Sequence, residues 1–137
     1  MTTPHYAPSG QHLLADLYGI AADRLNDADS IEALLRASAV AAGATILHSH
    51  FHSFGAGQGI TGVVLLAESH ISIHTWPESG FAAVDIFMCG QSDTALAMTL
   101  IQTALQAPED SLHSINSVHS VQTITRGRGG AEGNPPY

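Results

Sequence analysis

Glu68-Ser69-His70-Ile71-Ser72-Ile73-His74-Thr75-Trp76-Pro77-Glu78 gathers serines, two histidines, two glutamates and the chain's only tryptophan; the run 81–88 that follows ends on Cys89, the only cysteine. Residues 71–75 read as a strand, Pro77-Glu78-Ser79-Gly80 has the composition of a tight turn, and residues 81–88 alternate again. Together they predict an antiparallel hairpin. In its second arm Ala82, Val84, Ile86 and Met88 share one face, and Phe81, Asp85, Phe87 and Cys89 share the other. In the first arm the same two-residue period sets Ser69 and His74 on opposite faces. A bend or bulge near Ser69 is needed if both serve one site.

Upstream, Val63 to Ala67 is an apolar run of buried-strand length, preceded by residues 55–62 with four glycines, which read as a loop. That loop is no phosphate cradle, because no Gly-Lys-Ser/Thr follows it. Residues 44–54 read as a strand with His48, His50 and His52 on one face. Residues 29–42 are helical: Asp29 can cap, Glu32 falls three residues later, Ile31, Leu34, Leu35 and Ala39 make the stripe, and Gly43 stops it. Residues 11–18 predict a first strand interrupted by Asp16, costly to bury unpaired and, if merely structural, solvent-facing on a half-exposed strand. Downstream, Ser92-Asp93 caps a helix over 94–107 with Leu96, Leu100, Ile101 and Ala104 as its stripe, and residues 114–125 predict the last strand. The sum is an α+β two-layer sandwich, a mostly antiparallel sheet with two helices packed on one face.

The chain has 137 residues, which predicts a single domain: a loose N-terminus over 1–9, a folded part over 10–126 and a disordered tail over 127–137. A hydrophobic fraction of 45% against 12% charged residues predicts a folded core. The net charge of −8 argues against nucleic acid or an anionic membrane as partner. No apolar run reaches the roughly 20 residues of a spanning helix, and one cysteine closes no internal disulfide. These features place the chain in the cytoplasm.

Ser69 alone fits a structural serine or a Ser-His-Asp hydrolase, although no Gly-x-Ser-x-Gly elbow surrounds it. His48, His50 and His52 suggest an adventitious metal site at most. Same-face neighbours on one strand stand nearly 7 Å apart, and no second ligand cluster is evident, so no native metal is expected.

The run Glu68 to Glu78 with Cys89 resembles the self-cleaving segment of the S-adenosylmethionine decarboxylases, the small prokaryotic class of pyruvoyl enzymes. Phe51-His52-Ser53-Phe54 is similar to that family's Phe-His-x-Phe segment, and the resemblance extends from about Gly10 through Gly90, weakening to Arg126-Gly127. It implies that the Glu68–Ser69 bond breaks itself and that Ser69 becomes the covalent pyruvoyl cofactor, which takes the substrate amine as a Schiff base. It further implies His74 as the processing histidine, Cys89 as the catalytic proton donor, Phe54 stacking on adenine, and Glu68 and Asp16 at the substrate. Thr61, in Gly59-Ile60-Thr61-Gly62-Val63-Val64, stands where the family has a serine of the processing machinery, and Asp16 stands where it commonly has glutamate.

The implied activity is decarboxylation of S-adenosylmethionine to the aminopropyl donor for spermidine. The alternatives are a pyruvoyl decarboxylase of a basic amino acid, arginine or ornithine, and a non-catalytic paralogue. Phe54 favours the adenosyl substrate, and joint retention of Ser69, His74 and Cys89 favours catalysis. The resemblance also implies a homodimer of processed protomers, with sites near the interface.

Overall fold

The computed structural model describes residues 10–115 and 124–127. Six strands form one sheet: β1 (Gly10–Tyr18), β2 (Ile46–Ser53), β3 (Ile60–Leu66), β4 (Ser69–Trp76), β5 (Phe81–Cys89) and β6 (Glu109–Ile115). Their order is β2-β3-β4-β5-β1-β6, and every neighbouring pair is antiparallel. Helices α1 (Ala28–Ala41) and α2 (Thr94–Leu105) pack against each other and against one face of the sheet. This is the expected α+β two-layer arrangement. No helix among the described residues is long and apolar enough to cross a membrane.

Alternation builds the covered face. Leu13, Ala15 and Leu17 of β1, Val64 and Leu66 of β3, Ile71 and Ile73 of β4, and Ala82, Val84, Ile86 and Met88 of β5 share one core with Ile31, Leu35 and Ala39 of α1 and Ala97, Met98 and Ile101 of α2. Each large aliphatic side chain so buried stabilises the fold by about 1.5–3 kcal/mol. The intervening residues point to the other face, which no element of the described chain covers as a layer. His48, His50 and His52 lie there on β2, His70 and His74 on β4, Asp85 and Phe87 on β5, and His12 and Asp16 on β1.

Several boundaries differ from expectation, each for a local reason. The cap of α1 is Asp27, not Asp29: its Oδ1 accepts from the N–H groups of Asp29 and Ser30, so the helix opens a residue earlier. In α2 the buried stripe is Thr94, Ala97, Met98, Ile101 and Leu105, while Leu96 is 37% exposed. Gly62 belongs to β3 rather than to the loop, because the Phe51 ring of the neighbouring strand occupies the space a side chain would need. The last strand begins at Glu109 and pairs with β1, and Ile124 and Thr125 carry no regular structure. The intervening part of that predicted strand, the N-terminal lead-in 1–9 and the tail 128–137 lie outside the described residues.

Candidate active site

The turn between β3 and β4 is the shortest possible. Leu66 pairs with Ser69, leaving only Ala67 and Glu68 to reverse the chain, and Glu68 takes φ of 60°. Turns usually give that conformation to Gly or Asn, and an L-residue with a long side chain adopts it at a cost of about 1–2 kcal/mol. The strain therefore sits on the residue before Ser69. Backbone Ala67 N–H donating to Thr45 O at 2.9 Å anchors the turn.

Cys89, at the end of β5, reaches this turn from both its backbone and its side chain. Its Sγ–H donates to the Glu68 carbonyl at 3.4 Å, and its N–H donates to Ser69 Oγ at 3.2 Å. One residue thus polarises the Glu68–Ser69 carbonyl and tethers the adjacent hydroxyl. Gly10 lies beside it: a Cβ there would run into the Met88 carbonyl oxygen and stand 3.1 Å from Cys89 Sγ, so the close approach of β1 to the end of β5 needs glycine. Sequence reasoning assigned Cys89 to proton donation alone; the contact with the Glu68 carbonyl needed the β4–β5 register to be seen.

On the uncovered face, the next row inward from Cys89 is His70, Phe87 and His12, across β4, β5 and β1. The two imidazoles lie edge to face with centroids 6.0 Å apart. Burial, reinforced by His12, pushes His70 below the ordinary imidazole range, against a smaller upward pull from Asp85. His12 Nε2 is buried without a hydrogen-bond partner among the described residues.

His74 lies at the other end of β4. Its register partner on β3 is Thr61, and Thr61 Oγ1 is 3.0 Å from His74 Nδ1. His52 of β2 pairs with Thr61 in turn, and Phe54 stacks edge to face on His52 at 4.6 Å, itself 57% exposed. The same row continues through Ala83 to Asp16. Asp16 is 2% exposed, so it does not face solvent as a half-exposed strand would have it. Its Oδ1 accepts from Arg126 Nε at 2.6 Å and its Oδ2 from Gly127 N–H at 3.3 Å. Arg126 also donates to Asp85 Oδ1 at 2.7 Å and to Ala15 O at 3.1 Å. Burial, the largest single influence, pulls the Arg126 guanidinium down, but Asp16 and Asp85 together outweigh it and raise it.

The structure therefore makes two groups of the predicted residues. Glu68, Ser69 and Cys89 sit at one end of β4; Phe54, Thr61, His74 and Asp16 sit at the other. Ser69 and His74 are five strand steps apart, about 17 Å. No bulge brings Ser69 and His74 together within one chain: β4 pairs with β3 and β5 without a register break, and the one irregularity in these ladders lies between Ile46 and His48 on β2. Both edges of β4 are pinned by their ladders and one face by the core, so the strand has no slack to bulge. Among the described residues no group of three or more His, Cys, Asp or Glu could hold a metal ion.

Residues 11–117 match the family model described as S-adenosylmethionine decarboxylase. An S-adenosylmethionine decarboxylase proenzyme of Persephonella marina is 48% identical over 98 residues, 71% of this chain and 73% of that one. The proenzyme of the same name from Aquifex aeolicus is 50% identical over 97 residues, 70% of this chain and 71% of its own. The crystal structure of the adenosylmethionine decarboxylase from Aquifex aeolicus superposes with a TM-score of 0.73 at 39% identity, covering 86% of this chain and 98% of that one.

Proposed function

The chain belongs to the S-adenosylmethionine decarboxylase family, and from that premise we propose how its residues divide the work. It is a carboxy-lyase that decarboxylates S-adenosylmethionine and is made as a proenzyme that cleaves itself. The scissile bond of the proposal is Glu68–Ser69. Ser69 Oγ attacks the Glu68 carbonyl carbon, the C–N bond breaks, and the acyl group passes from nitrogen to oxygen. A base then removes the Ser69 Cα proton, Glu68 leaves as its carboxylate, and hydrolysis of the resulting dehydroalanine releases ammonia and leaves the pyruvoyl group. The observation that carries this reading is the Glu68–Ser69 turn itself: a left-handed glutamate, a tethered hydroxyl and a thiol donor on the carbonyl. Strain raises the ground state, and Cys89 stabilises the charge that develops on the oxygen.

Ser69 is the precursor of the covalent cofactor in this proposal, and its position fits. The pyruvoyl carbonyl supplies an electron sink for loss of CO2. Cys89, already at that position, is the acid that returns a proton to the substrate. His74 is the base of processing: with Nδ1–H donating to Thr61 Oγ1, Nε2 keeps its lone pair. Phe54 offers an exposed ring for adenine, and Arg126 fixes Asp16 at the same end of the sheet.

His74 cannot reach Ser69 of its own strand, about 17 Å away. The proposal therefore takes the active form as a homodimer in which the uncovered sheet faces pack together. The Thr61–His74 end of one copy then completes the Ser69–Cys89 end of the other. The exposed face, with Leu65 44% accessible, supports a second copy there. The two fragments stay together after cleavage, because they share the β3–β4 and β1–β5 ladders. The reduced Cys89 thiol that the chemistry needs suits the cytoplasm.

The test is release of labelled CO2 from carboxyl-labelled S-adenosylmethionine, abolished by cyanoborohydride in the presence of substrate. Release from arginine or ornithine instead would move the assignment to the basic amino acids.

A further inference from the structure

The pair Thr61–His74 is the last rung of the β3–β4 ladder. Beyond it the strands are joined not by backbone but by one buried side chain. Thr75, 5% exposed, accepts the Ile60 N–H on its Oγ1 at 2.9 Å and donates its hydroxyl proton to the Leu25 carbonyl at 2.8 Å. Ile60 precedes Thr61 and Thr75 follows His74, so this hydroxyl binds the neighbours of both members of the pair. Leu25, fully buried, fixes the other end in the core. The same corner holds Phe54: Gly59, before Ile60, accepts the Phe54 N–H at 3.0 Å and donates to Asn26 Oδ1 at 3.4 Å.

We propose that Thr75 is a positioning residue for self-cleavage, its buried hydroxyl setting the geometry in which Thr61 orients His74. Valine would fill the same shape but leave the Ile60 N–H and Leu25 carbonyl buried and unpaired. The corner would then relax outward and carry Thr61 away from His74, and a shift of about 1 Å at a reacting group can cost about a hundredfold in rate. The inference rests on the reading that His74 acts on the Ser69 of a second copy, and the test separates the two.

Proenzyme variants are expressed alone and in pairs, and conversion to fragments is followed by denaturing mass. Thr75→Val alone is expected to cleave about a hundredfold more slowly than the parent, and Thr75→Ser, which keeps the hydroxyl, close to the parental rate. Thr75→Val is then co-expressed with Ser69→Ala, a chain that cannot cleave but carries an intact Thr61–His74 corner. Thr75→Val chains paired with it should cleave at the parental rate, as should His74→Ala chains paired the same way. A merely structural lesion would travel with its own chain and stay slow. Rescue of His74→Ala without rescue of Thr75→Val overturns the positioning role and leaves the two-copy site standing. Failure to rescue His74→Ala overturns the two-copy site and the inference with it. Parental cleavage by Thr75→Val alone also overturns the inference. Should Thr75→Val not fold, Thr75→Cys, with a weaker donor and acceptor, carries the same comparison.

Discussion

The proposed pairing of two copies through the uncovered face has a pH signature that follows from His70. This imidazole is held below its ordinary range by burial first and by His12 second, with Asp85 opposing; Asp85 is itself engaged by Arg126. Leu65 is its register partner on β3 and Phe87 on β5. Covering the face with a second copy removes more water, so the paired state favours the neutral ring still more strongly. A base whose pKa falls on association contributes stability that is fully present above its free-chain pKa. That stability is lost as pH falls through that value. Two His70 rings per pair must each release a proton, so association weakens by up to about a hundredfold per pH unit, or about 2.7 kcal/mol, below that point. The window opens below the ordinary imidazole value of about 6.5. Sedimentation velocity from pH 8 to pH 5 should show a dimer at the alkaline end and growing dissociation at the acid end. His70→Gln should flatten that dependence by about two protons. A dissociation constant indifferent to pH, or one that tightens with acid, would refute the reasoning: some acidic group across the interface would then be stabilising the imidazolium.

Other expectations follow from single contacts. Cys89→Ser keeps a donor near the Glu68 carbonyl and should still process while decarboxylating poorly. Cys89→Ala should lose both, and full turnover by either variant would remove the thiol from the mechanism. Arg126→Ala leaves Asp16 buried and unpaired, a loss of about 3 kcal/mol discounted for the partial exposure of Arg126 and Asp85. The thermal midpoint should fall by several degrees, with recovery when Asp16→Asn is added. An unchanged midpoint would place the Arg126 ion pair outside the folded state.

The hairpin and both faces of β5 were legible because alternation is a local signal, and Cys89 fell on the same side as Asp85 and Phe87 by counting alone. The two helices were legible for the same reason, but not their details. Asp27 and Asp29 are equally good caps by composition, and Thr94 and Met98 compete with Leu96 and Ala104 for the buried stripe. Gly62 read as loop because nothing local announces that a Phe51 ring will lie over it. The candidate residues came from the family resemblance carried by the Glu68 to Glu78 run, while their division between two ends of β4 was not legible. An isolated strand can bulge, and only pairing on both sides shows that this one does not. The Arg126–Asp16–Asp85 cluster joins residues that are remote in sequence, and no local pattern encodes it.

Self-cleavage at Glu68–Ser69 is read by intact mass under denaturing, reducing conditions, with no assay of turnover needed. Two fragments are expected, 1–68 and 69–137, the second lighter by one ammonia than hydrolysis would leave it, with a single uncleaved mass for Ser69→Ala. A full-length mass for the parent chain, or a second fragment beginning with an ordinary serine, would contradict it.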